Sequence, residues 1–320
     1  MKQTYLPLAA TIAVFAALFG LGGGLYKNFL STLVLGDILN DNAFLIVAAI
    51  GANFVILSGG IDLSIGSMIG FVGVVMAKLD GFGWSPLASA PLMLAFGLGF
   101  GALQGLVIDF CDIQPFIVTL AGLFLLRGSC FMVNLDSEPL RHPFVNAYAA
   151  FAVPLPGDGF LASSALTMFA ALALAIVIAH GASFGADVYA IGGDKTSAAL
   201  MGVPIRRTMI KIYALGGFYS ALGGVIYALY TSSGYPLAGS GAELSAIAAV
   251  VLGGTLLTGG VGLVVGALFG GMILGLIATL INFNGSLNGA WIMVSSGVLL
   301  FIFIVMQRGL VGSLTARSAA

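Results

Sequence analysis

The sequence predicts an all-α, polytopic membrane protein, and three observations carry that reading. Hydrophobic residues make up 60% of the 320, charged residues only 7%, and the mean hydropathy is +1.13. A soluble domain carries roughly 25% charged residues, so this chain cannot cover a water-facing surface. In lipid every backbone N–H and C=O needs an internal partner, which leaves helices or a closed barrel. Barrel strands would alternate over ~10 residues, whereas stretches such as ALTMFAALALAIVIA (165–179) are longer and do not alternate.

A crossing helix needs about 20 apolar residues. That ruler places spans near 5–22, 42–58, 63–78, 86–108 and 114–133, then near 160–181, 210–231, 241–258, 260–282 and 288–306. The count is about ten; glycine interruptions within 42–78 and 241–282 leave eight, nine or eleven open. The first stretch comes after Lys2 and exceeds the apolar core of a signal peptide, without a clear cleavage site, so it reads as an uncleaved span. The whole of 1–320 reads as one transmembrane domain.

Lys and Arg fix the expected orientation, because they accumulate in cytoplasmic loops. An even number of crossings puts both termini on one side, marked cytoplasmic by Lys2, Arg308 and Arg317. The loop at about 182–209 and the helix start after it then also lie inside, with Lys195, Arg206, Arg207 and Lys211. The stretch 134–159 lies outside, with Asp136, Glu138 and Asp158 against a single Arg141.

Glycines recur at four-residue spacing at Gly97, Gly101 and Gly105, and again at Gly262, Gly266 and Gly270. Such stripes let backbones approach closely in lipid; tight packing within one subunit is the expectation, with a dimer seam the alternative. A repeat also shows: Gly59-Gly60-x-x-Leu63-Ser64-x-Gly66 matches Gly253-Gly254-x-x-Leu257-Thr258-x-Gly260. Each copy is preceded by a Val-[Ile/Val]-Leu run, with one residue's offset between them.

GGIDLSIGSM (59–68) is the most informative stretch. Gly59 and Gly60 loosen the preceding helix, and Asp62 can cap the next one by accepting first-turn N–H groups. The same stretch suits a broken helix beside a polar path, so Asn53, Ser58, Asp62 and Ser64 are candidate path or break positions. Glu243 joins them, although Ser240-Gly241-Ala242-Glu243 also has the form of a capping box. Arg127 lies inside an apolar stretch and needs a carboxylate, helix carbonyls or water, or else snorkels toward the outer interface.

In the loop 184–204, Asp194 reads as an N-cap, Lys195–Met201 as a two-turn helix, Gly202 as its C′ residue and Pro204 as a stop. A helix this short is marginal alone, so it folds on its own membrane domain or docks on another subunit. GGDKTS is not a nucleotide loop: that pattern needs glycine where Asp194 and Tyr189 stand. Cys111 and Cys130 flank one apolar stretch, too far apart on a helix for a disulfide. There is no Cys/His metal spacing, and His142 and His180 sit at span edges. A net charge of −1 offers no footprint for nucleic acid.

The chain resembles the permease subunits of ribose-type bacterial sugar ABC importers. The resemblance rests on VILSGGIDLSIGS (55–67), IQPFIVTLAGLFLLRG (113–128), VYAIGGDKTSAALMGV (188–203) and ELSAIAAVVLGGTLLTGGVG (243–262). The HPF, GGTLLTGGVG and QRGL stretches look most like a permease of a galactofuranose importer. The resemblance implies a type II importer-like fold with broken helices in the bacterial inner membrane. It implies a second, non-identical permease, a separate ATP-binding subunit that uses ATP and Mg2+, and a periplasmic sugar-binding protein. No cofactor is expected in this chain. The resemblance also makes Asp194, Lys195, Thr196, Ser197, Ala198, Ala199, Leu200, Met201 and Gly202 the coupling helix to the ATPase. Two departures stand out: Asp194 where relatives often carry asparagine, and Ser245 where aspartate is common.

The expected function is therefore import of a neutral monosaccharide, galactofuranose in the narrow reading, otherwise ribose, xylose or a similar sugar. The rival is a carrier driven by an ion gradient, which would usually show paired ionisable groups along a relay. A membrane enzyme would need a nucleophile, an acid–base pair or a metal cluster, and the sequence offers none.

Overall fold

The computed structural model describes residues 2–318, with side chains for residues 7–303 and 305. The side chains of Lys2, Arg308 and Arg317, and the QRGL stretch, lie outside those described. The chain opens with α1 (Lys2–Leu25), α2 (Thr32–Asp41), α3 (Ala43–Leu57), α4 (Ile65–Gly81), α5 (Pro86–Phe110) and α6 (Pro115–Val133). A region of short elements comes next, with β1 (Glu138–Pro139), α7 (Pro143–Ala150), β2 (Ala152–Pro154) and β3 (Phe160–Ala162). Then come α8 (Ser163–Gly181), α9 (Ser183–Gly193), α10 (Lys195–Leu200), α11 (Ile205–Thr231) and β4 (Ser233–Gly234). The chain closes with α12 (Ala242–Leu252), α13 (Gly266–Asn284) and α14 (Ala290–Ser318).

Among the described residues, α1, α5, α6, α8, α11 and α13 are long and apolar enough to cross a membrane. A seventh crossing forms if α2 and α3, bent by 58° at Asn42, count as one span. The expected span 63–78 is a 17-residue helix, and the expected 241–258 stops at Leu252 after 11 residues. The second falls short because the glycine turn at Gly253 and Gly254 breaks the hydrogen-bond ladder where composition alone reads on. Three further helices have no counterpart in the sequence reading: α2, α7 within 134–159, and α9 within the stretch expected as loop.

α3 is apolar around its whole circumference, the pattern of a buried helix, and every residue in it except Phe44 is buried. Beside it, α5 and α11 pack backbone to backbone. Gly101 lies against the Tyr213 carbonyl, and Gly105 lies against the Cα of Ile210. The first glycine stripe thus packs within the chain. In the second, Gly266 and Gly270 pack on Gly253 and Ala249 of the α12 segment, while Gly262 lies in the irregular connection before α13.

The two ends of the bundle differ. At the hairpin end, β1 pairs antiparallel with β4, Glu138 opposite Gly234. The Asp80 carboxylate there accepts from the N–H groups of Arg141 (2.7 Å) and His142 (3.2 Å). His142 itself caps α7, its Nδ1 accepting from Phe144 N–H at 3.1 Å. At the opposite break end lie 58–64, 111–114, 182–204 and 253–265. The ion pair of Arg206 with Asp109 (2.6 Å) ties α11 to α5 there, and the guanidinium covers the Phe110 ring at 4.8 Å. Cys111, exposed, and Cys130, buried, are both free.

Candidate functional site

Two helices stop at glycine pairs on the break end, and their stops are built alike. After α3, Gly59 takes φ +81°, its N–H reaches Ile56 C=O (2.9 Å), and Gly60 N–H reaches Val55 C=O (3.0 Å). After α12, Gly254 takes φ +91°, its N–H reaches Val251 C=O (2.9 Å), and Thr255 N–H reaches Val250 C=O (3.2 Å). Both are Schellman ends, which need a residue at ease with positive φ in the C′ place.

The first break carries the polar groups. Asp62 is 3% exposed, and its Oδ1 accepts from Ser64 N–H (2.8 Å) and Ser64 Oγ–H (2.7 Å). Asp62 is not the N-cap of α4, as the sequence suggests; that place belongs to Ser64, and Asp62 braces Ser64 from two residues upstream. Asn53, Ser58 and Ser64 are buried as well. Asn53 ties the two breaks together: its amide donates to Leu263 C=O (3.1 Å) and accepts from Thr255 Oγ1 (3.2 Å). Asn53, Asp62 and Ser64 hold walls together, whereas Ser58 lines an opening beside the break.

Buried side-chain atoms without partners gather at the same place. Among the described residues they are Tyr213 Oη, Gln104 Nε2 and Glu243 Oε2. Tyr213 Oη lies against Gly60, Gln104 approaches Ser64 at 3.4 Å, and Glu243 Oε2 lies against Gly66. Such orphans are rare and mark strain or function. Sequence reasoning missed Gln104 and Tyr213; the available signal was that Gln104 is the lone polar side chain in 97–107.

Glu243 and Arg127 are placed by the connection between α11 and α12. The expected capping box does not form: Gly241 is the N-cap of α12, with φ +84°, and Ser240 Oγ–H turns back to Leu237 C=O. Glu243 is only the second helical residue, and its Oε1 accepts from Gly241 N–H at 3.2 Å. Arg127 is held by carbonyls: its guanidinium donates to Pro236 and Ala238 C=O. It does not snorkel.

A third element meets both breaks. Gly192, at the end of α9, lies so close to Leu57 C=O and Gly260 N–H that any side chain would overlap them. Gly260 N–H donates to Leu57 C=O (2.9 Å), and Tyr189 Oη–H of α9 donates to Gly262 C=O (2.9 Å). Next in the chain, Asp194 caps α10 as expected, its Oδ1 accepting from Ser197 N–H at 2.6 Å. The hydrogen bonds from Ser197 hold its carboxyl below the usual carboxylate range. α10 ends at Leu200 with Met201 as its C-cap, one residue short of the expected end, and Gly202 comes next at φ +86°.

The face of α10 also differs from expectation. Ala198, within the helix expected to dock on the ATPase, is fully buried, whereas Leu200 and Met201 are 85% and 72% exposed. A cavity of about 260 Å³ lies beside the first break, lined by Ser58, Asp112, Lys195 and Met209 among others. No cluster that could hold a metal exists among the described residues.

A family model described as "Branched-chain amino acid transport system / permease component" matches residues 34–305. The chain is similar to the inner membrane ABC transporter permease protein YjfF of Escherichia coli strain K12. They are 51% identical, over 97% of this chain and 94% of that one. It is also similar to the fructose import permease protein FruG of Bifidobacterium longum, 32% identical over 96% and 92% of the two chains. The ribose import permease protein RbsC of Escherichia coli strain K12 is 34% identical, over 89% and 88%. No solved structure matches. With glycine-broken helices in an apolar bundle and a capped helix at its break end, the chain belongs to this family of ABC-transporter permease components: a multi-pass membrane transport subunit, not itself an enzyme.

Proposed function

We propose that this chain is the membrane subunit of an ATP-driven importer for a neutral monosaccharide, with galactofuranose as the narrow substrate and ribose, xylose or a similar sugar as the wider class. In this reading a periplasmic binding protein delivers the sugar. A second, non-identical permease completes the path, and a separate subunit hydrolyses ATP with Mg2+. The similarity to permeases named for ribose and fructose import supports the sugar class. The paucity of fixed charge, 7% of residues, favours an uncharged cargo.

The observation that carries the mechanism is the wedge of α9 between the two breaks. α10 offers Leu200 and Met201 to a partner while Ala198 locks it to its own chain. A push on α10 passes to Gly192, and from there to Leu57 and Gly260, the ends of both broken helices. About ten crossings result if α1, the α2–α3 pair, α4, α5, α6, α8, α11, the segment 235–252 that ends in α12, α13 and α14 each traverse. That places both termini and 182–209 in the cytoplasm and 134–159 in the periplasm. The chain's two ends of unlike chemistry support this orientation, with Lys195, Arg206, Arg207 and Lys211 at the break end.

An ion-driven carrier is disfavoured because the intramembrane ionisable groups do not form a relay. Asp62 is engaged by Ser64 and Arg127 by backbone carbonyls. The test is sugar-stimulated ATP hydrolysis by the purified complex. Leu200→Glu or Met201→Glu should abolish the stimulation, because a desolvated charge would enter the contact. Ala199→Ser should leave it intact, with assembly scored separately. Uptake driven by an ion gradient without ATP would overturn the reading.

A further inference from the structure

The connection between α11 and α12 runs inside the bundle, not over its end. Gly234 lies beside Gly73 of α4, Ala238 C=O beside Gly70, and Glu243 beside Gly66. Gly66 is fifteen residues before Gly81, the last residue of α4, so α12 begins ~22 Å below the hairpin end of that helix. Residues 235–241 are therefore turns, not helix, at membrane depth.

One edge of this segment faces inward. Arg127 binds the carbonyls of Pro236 and Ala238, and Pro236 and Ala238 are buried. The other edge is open. Tyr235 and Leu237 are 42% and 46% exposed, and Ser240 is exposed. Among the described residues, the N–H groups of Leu237 and Gly239 find no acceptor, while their carbonyls take Ser240 and Ala242 N–H.

Irregular backbone with free donors cannot face lipid; it is tolerated at this depth only when buried in protein or lining water. The chain itself leaves the segment uncovered. An aromatic face suits the C–H face of a sugar ring, and free N–H donors suit its hydroxyls. We infer that residues 235–241 form a wall of the aqueous solute path, where the Tyr235 ring and the N–H groups of Leu237 and Gly239 contact the passing sugar. The identity of the solute rests on the importer reading; the location of the wall does not.

The wall is tested in the assembled importer in membrane vesicles, in a background carrying Cys111→Ser and Cys130→Ala. Tyr235→Cys and Ser240→Cys should react with a charged, membrane-impermeant thiol reagent at least ~10-fold faster than Leu98→Cys on the regular helix α5, the lipid-facing reference. Rates no faster than at position 98 would mean that lipid or a partner subunit covers the segment, and would overturn the wall. The sugar contact is read separately, as sugar taken up per ATP hydrolysed, with ribose, fructose, galactose and galactofuranose as probes. Tyr235→Ala should lower that ratio about 2- to 10-fold, the scale of an aromatic face contact, and Tyr235→Phe should preserve it. An unchanged ratio in Tyr235→Ala would remove Tyr235 from the path. Should the unmutated complex move none of these sugars, the importer reading fails, while the thiol rates still decide the wall.

Discussion

The two glycine breaks end their helices with the same pair of hydrogen bonds, yet the residues that correspond are not the ones the repeat aligns. The motif matches Gly59 with Gly253 and Gly60 with Gly254. By backbone geometry Gly59 matches Gly254, with φ of +81° and +91°, and Gly60 matches Thr255. The Val-[Ile/Val]-Leu runs, one residue out of step with the glycines, give the true register. Beyond the stop the breaks diverge. Gly66 is a helical residue of α4, while Gly260 lies in a turn at φ +74°. The first break is short and built round a buried carboxylate; the second has no carboxylate and leaves Leu257 and Val261 partly exposed. A helix end is a local hydrogen-bond pattern that a short sequence can repeat. The path of the chain after that end is set by its neighbours, and the two breaks have different ones.

The largest effect should come where both breaks meet. Gly192→Val would overlap Leu57 C=O and Gly260 N–H at once, and overpacking against backbone costs typically about 1–3 kcal/mol or more. The variant should lose folded yield or sugar-stimulated ATPase, whereas the adjacent Gly193→Val, with open space at its Cβ, should be near silent. Equal behaviour of the two would remove the wedge.

The stops themselves should then prove unequal. An alanine at positive φ costs about 1–2 kcal/mol in either place. At Gly254 a Cβ also meets the Pro7 ring at 2.7 Å, while at Gly59 the nearest atom is Thr258 O at 3.5 Å. Gly254→Ala should therefore lower the melting temperature of the purified complex further than Gly59→Ala. The reverse order would place the tighter end at α3.

Next in size, Asp62→Leu strands the Ser64 donors at about 1–3 kcal/mol, and folded yield should drop. Asp62→Asn keeps an acceptor and most transport. Lost transport in a normally folded Asn variant would make the charge itself functional. Smallest is Thr255→Val, which removes one hydrogen bond to Asn53 and should cost about 0.5–1.5 kcal/mol. A cost as large as that of Asp62→Leu would show that the second break depends on polar ties as much as the first.

Part of the site was legible because its cause is contiguous. Asp194, Ser197, Gly202 and Pro204 start and stop α10 through bonds and dihedrals a few residues apart, and the chain places them as the motif predicts. The capping box at 240–243 failed although its letters fit. Gly241 took the cap, with φ +84°, as the chain ran down beside α4 to start α12. For Arg127 the need for polar partners was legible but their identity was not: they are carbonyls more than a hundred residues away, on a segment whose depth no local pattern encodes.

By itself, the sequence determined the membrane class, the presence of helix-breaking glycine pairs and the capped helix at the break end. Composition, turn chemistry and capping act over a few bonds. Only the tertiary structure decided that Ala198 is buried and Leu200 is free, that α9 wedges between the breaks, and that 235–241 descends inside the bundle. Those features depend on which backbones approach closely. In a chain with 47 glycines, many such approaches are sterically open, and the packing of distant helices selects among them.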